Sequence, residues 1–195
     1  MTVYCATGNP GKLREFQLAA PDFDVRRLPV NVPAPDETGD TFEANAAEKA
    51  TAYGRHIDGY LFADDSGLEV DALGGEPGVR SARYAGETAT DEANNALLLA
   101  RLGGIENRTA RFVCVIALVK DGRLVKTFRG AVEGRILDAP RGSGGFGYDP
   151  LFFYEPFGCT FGEAAIEDKM TVSHRGIALE KMFHYLRELR GKGTA

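Results

Sequence analysis

The chain has 195 residues, 44% hydrophobic and 26% charged, which excludes disordered, collagenous and coiled-coil classes and predicts one domain, or two lobes sharing a core. Lys and Arg total 23 against 28 Asp and Glu, a net charge of −5. That balance excludes a nucleic-acid partner bound through basic surface, but not a small anion held by a few placed cations. The 24 glycines are the compositional oddity. Three cysteines form no CxxC pair, and Cys5 and Cys114 sit in apolar runs, where they read as small buried hydrophobes. The first residues lack the pattern of a signal peptide, and the longest apolar run, Phe112 to Val119, is too short for a membrane span. A cytoplasmic protein with no membrane partner is expected.

Thr2 to Ala6 reads as a strand that stops at Thr7-Gly8-Asn9-Pro10-Gly11. Lys12 to Ala19 follows as a helix, with Leu13, Phe16 and Ala20 on one face. A strand from Phe23 to Leu28 leads into a Pro-rich connection. Asp40 and Glu43 stand in capping-box spacing before a helix that buries Phe42, Ala46, Ala50 and Tyr53. Tyr60 to Ala63 is a short strand ending at Asp64-Asp65-Ser66-Gly67, and residues 74–86 read as loop. A helix from Asp91 to Leu102 precedes strands at 111–119 and 123–129, which flank the hairpin signal Asp121-Gly122. A strand from Ala131 to Ile136 comes next. The last helix starts near Ser173 and turns Leu179, Met182, Phe183, Leu186 and Leu189 inward. Early strand–helix alternation followed by a hairpin predicts an α/β fold with a mixed sheet flanked by helices.

Two glycine segments need care. Gly8 to Lys12 joins strand to helix, yet the spacing is not GxxxxGK[ST]; only the physics of N–H groups and Lys12 at a helix start favours phosphate. Gly142 to Gly147 satisfies GxGxxG but is followed by Tyr148-Asp149-Pro150 and an aromatic run, not a helix, so a dinucleotide fold is rejected. Phe146 and Tyr148 could stack on a nucleobase or pack inside.

Asp64 and Asp65 repel unless solvated or bound to a cation, and Mg2+ suits one or two such carboxylates. Successive strand side chains point to opposite faces, so one of the pair faces a site, and sequence leaves open which. Asp36-Glu37 is a second acidic pair. The candidate phosphate cations are Lys12, Lys49, Arg83, Lys169 and Arg175; Asn45 and Lys49 share a helix face, and His174-Arg175 opens the last helix.

Taken together, six collinear blocks resemble the inosine/xanthosine triphosphate pyrophosphatase family of Ham1-like nucleotide house-cleaning enzymes. The blocks are Thr7 to Lys12, Phe42 to Lys49, Ala63 to Leu68, Gly74 to Gly78 with Ser81 to Tyr84, Phe146 to Pro150, and Ser173 to Gly176. The resemblance implies an elongated mixed sheet in two lobes around a central nucleotide-binding cleft, a homodimer, and Mg2+-dependent hydrolysis of a purine nucleoside triphosphate to monophosphate and pyrophosphate. By motif, Thr7, Gly8, Asn9, Pro10, Gly11 and Lys12 would cradle phosphate, Ser66 would contact substrate, and Lys49 and Arg83 would add triphosphate contacts. Asp65 would serve as base and Mg2+ ligand, with Asp64, Asp36 and Glu37 open as further ligands. Phe146, Gly147, Tyr148, Asp149, Lys169, His174 and Arg175 would recognise the base, a rigid donor such as Arg175 pairing with a 6-oxo group. The sequence departs from the pattern at Ala44, where many members carry Glu, so no role is carried to Glu43. The alternatives are a Maf-like pyrophosphatase of other modified nucleotides and a nucleotide sensor that does not hydrolyse.

Overall fold

The computed structural model describes residues 1–29, 32–35 and 37–192, with the side chain of Lys192 excepted. Asp36, one of the open ligand candidates, lies outside the described residues.

Among the described residues, seven strands and five α-helices follow one another: β1 (Thr2–Cys5), α1 (Pro10–Leu18), β2 (Asp24–Arg27), α2 (Phe42–Gly54), β3 (Tyr60–Val70), α3 (Asp91–Arg101), β4 (Thr109–Lys120), β5 (Arg123–Ile136), β6 (Phe152–Tyr154), β7 (Cys159–Thr160), α4 (Ile166–Val172) and α5 (His174–Lys192). The sheet order is β2-β1-β3-β4-β5-β6-β7. β1 runs parallel to β2 and β3, whereas β6 pairs antiparallel with β5 and β7, so the expected mixed sheet is present. By contact density the chain divides into two compact units, Met1–Asp65 with Cys114–Gly130 and His174–Ala195, and Ser66–Val113 with Ala131–Ser173.

Several boundaries differ from the sequence reading for local reasons. α1 opens two residues early because Pro10 fits the first helical position and Asn9 caps it, its Oδ1 accepting from the Gly11 and Lys12 N–H groups. α2 is capped by Thr41, whose Oγ1 accepts from Ala44 N at 3.1 Å, and not by Asp40; Glu43 pairs with Arg129 instead. The strands expected at 123–129 and 131–136 are one, β5. Gly130 does not interrupt it, because the missing side chain lets the strand pass against the backbone of His174 and Ala178. β3 likewise continues through Asp64-Asp65-Ser66-Gly67 to Val70. Residues 78–83 of the expected loop form a 3-10 helix, and the short helix α4 precedes Ser173.

In the first unit, Phe62 packs edge-on against Phe16 and Phe183, with ring centroids 5.0 and 6.3 Å away, and Phe183 also meets Phe23. Leu179, Met182, Phe183 and Leu186 of α5 are fully buried there. Phe112, Phe152 and Phe161 centre the second unit's core, joined by Leu68, Val70, Leu98 and Leu102. Burying one such side chain contributes about 1.5–3 kcal/mol, so these aromatic cores hold the helices in register on the sheet. Cys5 and Cys114 are buried free thiols, as the sequence suggested, and burial pushes the Cys5 thiol up to about 12. No described helix is long and apolar enough to cross a membrane.

Candidate active site

The site grows from the middle of β3. Strand pleating turns consecutive side chains to opposite faces, and Asp64 and Asp65 obey it. Asp64 points to α1 and α5: Lys12 Nζ lies 2.9 Å from its Oδ2, and Arg175 Nε lies 3.6 Å from the same atom. Arg175 Nη1 donates to Glu15 Oε2 at 2.6 Å, and both side chains are 2% exposed. Glu15, Asp64, Lys12 and Arg175 thus form a quartet of two anions and two cations. Burial raises the Asp64 pKa, but Lys12, Arg175 and Lys49 outweigh it and hold the carboxyl well below its usual range.

Asp65 points to α2. Asn45 Nδ2 donates to its Oδ2 at 3.1 Å, and Lys49 Nζ lies 3.5 Å from Oδ1. Lys49 sits closer to Glu37, at 2.9 Å. Burial raises the Asp65 pKa most strongly, Lys49 and Asn45 offset it only in part, and Glu37 and Asp64 raise it further. For Lys49, burial lowers the pKa, yet Asp64, Asp65 and Glu37 together leave it above the ordinary lysine value. Burial is the larger cause for Asp65, and the Lys49 ammonium, shared with Glu37 and standing nearer to it, leaves Asp65 under-neutralised. A buried carboxylate with raised proton affinity and an excess of negative charge around it suits both a general base and a cation ligand.

Asn45 ties this face together. It is 1% exposed, its Oδ1 accepts from the Gly39 N–H at 2.8 Å, and its amide donor holds Asp65. A Cβ on Gly39 would come within 2.6 Å of the Ala44 Cβ and 2.8 Å of Asn45 Oδ1, so only glycine lets the acidic loop lie this close.

The remaining expected residues are placed as follows. In the Thr7 to Lys12 segment, Asn9 Oδ1 already engages the Gly11 and Lys12 N–H groups, and Asn9 N donates to Thr7 Oγ1. Ser66 follows Asp65 on β3 and is half-buried. Arg83 ends the 3-10 helix at 78–83, with Nε 3.7 Å from the exposed Glu87, a weak surface pair. In the second unit, Lys169 is 2% exposed and donates to Asp149 Oδ2 at 2.7 Å; its ammonium stands 5.2 Å from the Phe146 ring centre. The Phe146 N–H donates to the same Asp149 oxygen at 2.9 Å. Gly145 has φ +72° and abuts the Asp149 carboxylate, a position no side chain could share. Tyr148 is buried in the second unit's core, its hydroxyl donating to the Ser81 carbonyl. Phe146 and Gly147 line a cavity of about 490 Å³ beside α3, where Asn95 Nδ2 donates to the Gly147 carbonyl. His174 is 4% exposed at the start of α5.

Glu15 and Asn45 carry structural roles that the sequence reading did not assign. A helical signal existed for both: Glu15 lies one turn after Lys12, and Asn45 one turn before Lys49. Among the described residues no three His, Cys, Asp or Glu side chains converge as a metal cage. Glu37 and Asp65 both approach Lys49, and one or two carboxylates are the number Mg2+ takes when substrate phosphates and water complete its shell.

The sequence matches the profile of the Ham1 family over residues 3–185. A dITP/XTP pyrophosphatase of Exiguobacterium sp. strain AT1b is 50% identical over 186 residues, covering 93% of this chain and 95% of the relative. Among solved structures, a HAM1 protein from Coxiella burnetii superposes with a TM-score of 0.88 at 38% identity, covering 96% of this chain and 99% of that one. The Staphylococcus aureus Ham1 protein gives 0.84 at 40% identity over 96% and 99%.

Proposed function

For a chain that belongs to the Ham1 family, we propose hydrolysis of non-standard purine nucleoside triphosphates (dITP, ITP and XTP) to the nucleoside monophosphate and pyrophosphate. It is a nucleoside triphosphate pyrophosphatase whose water attacks the α-phosphorus in line. The observation that carries the chemistry is the under-neutralised Asp65, held by Asn45 and only partly balanced by Lys49. Its Oδ atoms accept the proton of the attacking water, a role worth about 10²–10⁴ in rate. Lys12, Lys49 and Arg83 neutralise charge on the departing pyrophosphate, and the Thr7 to Lys12 segment with Ser66 positions the phosphate chain.

Mg2+ fits the anionic excess on the Asp65 face, with Asp65 and Glu37 as its protein ligands. When bound, it supplies charge neutralisation at the phosphoryl oxygens and a more acidic water.

Phe146 to Asp149, Lys169, His174 and Arg175 handle the base. The Arg175 guanidinium, fixed by Glu15 and Asp64, is a donor that cannot turn to suit an amine. A 6-oxo purine accepts from such a donor, and adenine presents a donor against it; leaving buried polar groups unpaired can discriminate by about 10⁴. The working enzyme in this reading is a cytoplasmic homodimer.

The test is multiple-turnover hydrolysis of ITP, XTP, ATP and GTP with Mg2+, separating pyrophosphate from orthophosphate. Pyrophosphate from ITP and XTP, with little from ATP, is expected. Orthophosphate with nucleoside diphosphate would sink attack at the α-phosphorus, and intact ITP bound by the protein would make it a sensor.

A further inference from the structure

At the carboxyl ends of the parallel strands β1 and β2, the first unit holds a small cavity, of about 180 Å³, whose lining includes Thr7, Gly8, Arg27 and Tyr53. The carboxyl ends of parallel strands are where open α/β sheets bind ligands. The volume falls below the ~300–1,000 Å³ of pockets that enclose drug-sized ligands, so a whole nucleoside does not fit, whereas an inorganic anion does.

Arg27 is the cationic side chain that lines this cavity. Lys12 is engaged by Asp64, Lys49 by Glu37 and Asp65, and Arg175 by Glu15 and Asp64. Even its neighbour on β2, Arg26, pairs with Asp24 at 2.6 Å. Arg27 has no carboxylate partner among the described residues. The Gly8 N–H likewise meets no protein acceptor among them, and nothing lies within 4 Å of where a Gly8 Cβ would stand. A guanidinium and an N–H that meet no acceptor among the described residues share one small cavity with the segment that cradles phosphate in the proposed function. Guanidinium is the side chain best matched to bidentate phosphate recognition.

We propose that Arg27, with Thr7, Gly8 and Tyr53, forms a diphosphate subsite that holds the β- and γ-phosphates of the substrate and then the pyrophosphate product. The assignment rests on the pyrophosphatase reading above. It makes Arg27 a binding residue for the leaving group and leaves the base and the monophosphate untouched.

Calorimetric titration of the full chain with inorganic pyrophosphate, orthophosphate and inosine monophosphate tests it. Arg27→Gln is expected to weaken pyrophosphate by about tenfold or more, a change ordinary for one charge-assisted contact, and to leave inosine monophosphate affinity unchanged. Arg27→Lys should recover part of the loss, and Arg26→Gln should bind pyrophosphate as the parent does. Unchanged pyrophosphate affinity in Arg27→Gln, in an enzyme that hydrolyses ITP and XTP, overturns the subsite alone. Equal losses for pyrophosphate and orthophosphate overturn its diphosphate character, and an equal loss for inosine monophosphate overturns its restriction to the leaving group. A parent enzyme that leaves ITP and XTP intact overturns the functional reading and this assignment with it.

Discussion

Asp64 and Asp65 are adjacent in the chain and opposite in chemistry. On the face toward α1 and α5, two carboxylates meet two cations, and the ionised form of Asp64 is strongly favoured. On the face toward α2, Glu37 and Asp65 share Lys49, and the ionised form of Asp65 is disfavoured. The first face is balanced in charge by its own quartet. The second carries a surplus negative charge that a divalent cation or a proton can satisfy. One strand therefore sets two adjacent carboxylates in opposite electrostatic surroundings by nothing more than its pleat.

Removing each carboxylate should break the molecule differently. Asp65→Asn is expected to lower kcat by about 10²–10⁴. It should leave the melting temperature unchanged or slightly raised, because the lost charge was one that burial disfavoured. A substantial drop in melting temperature alongside near-normal turnover would reverse the roles assigned to the two faces.

Asp64→Asn should do the converse, destabilising the fold by about 3–5 kcal/mol by leaving Lys12 and Arg175 under-compensated. Its pH dependence has a definite sign. A carboxyl whose folded pKa is lowered contributes stability that is present above its unfolded value and is lost as pH falls toward the folded one. The gap in melting temperature between parent and Asp64→Asn should therefore narrow when pH drops from 7 to below about 4, the ordinary Asp value. Thermal denaturation across that range measures it, and a constant gap would remove Asp64 as the linked group.

Two smaller changes sharpen the α2 face. Glu37→Gln takes away one of two carboxylates around Lys49, and the Mg2+ concentration giving half-maximal rate should rise by about tenfold, at the low end of the 10–100-fold cost of altered metal surroundings. An unchanged Mg2+ titration would leave Asp65 as the one protein ligand on this face. Thr41→Ala removes the cap of α2 and should cost about 1 kcal/mol by denaturant titration. The loss should appear without change in the acid-stability profile, which belongs to the other face.

Much of this was legible in the sequence: the mixed sheet, the buried stripes of α2 and α5, and the opposed directions of Asp64 and Asp65 all follow from periodicity. The misses share a cause. β3 reads as ending at Ala63 because Asp, Ser and Gly are poor strand residues. What carries the strand onward is charge compensation from Lys12, Lys49 and Arg175, far away in sequence. Gly130 reads as a break because its use, close approach to α5, is tertiary. The Glu15–Arg175 pair spans 160 positions, so no local window contains both halves.

Gly8 separates two kinds of constraint that mutational surveys usually confound. Its backbone does not need a positive φ, and among the described residues no atom beyond its chain neighbours lies within 4 Å of the place a methyl group would take. Gly8→Ala is therefore a substitution the folded chain should accept without complaint. A loss of pyrophosphate affinity in that variant, with folding intact, would then report contact with a bound molecule and not with the chain.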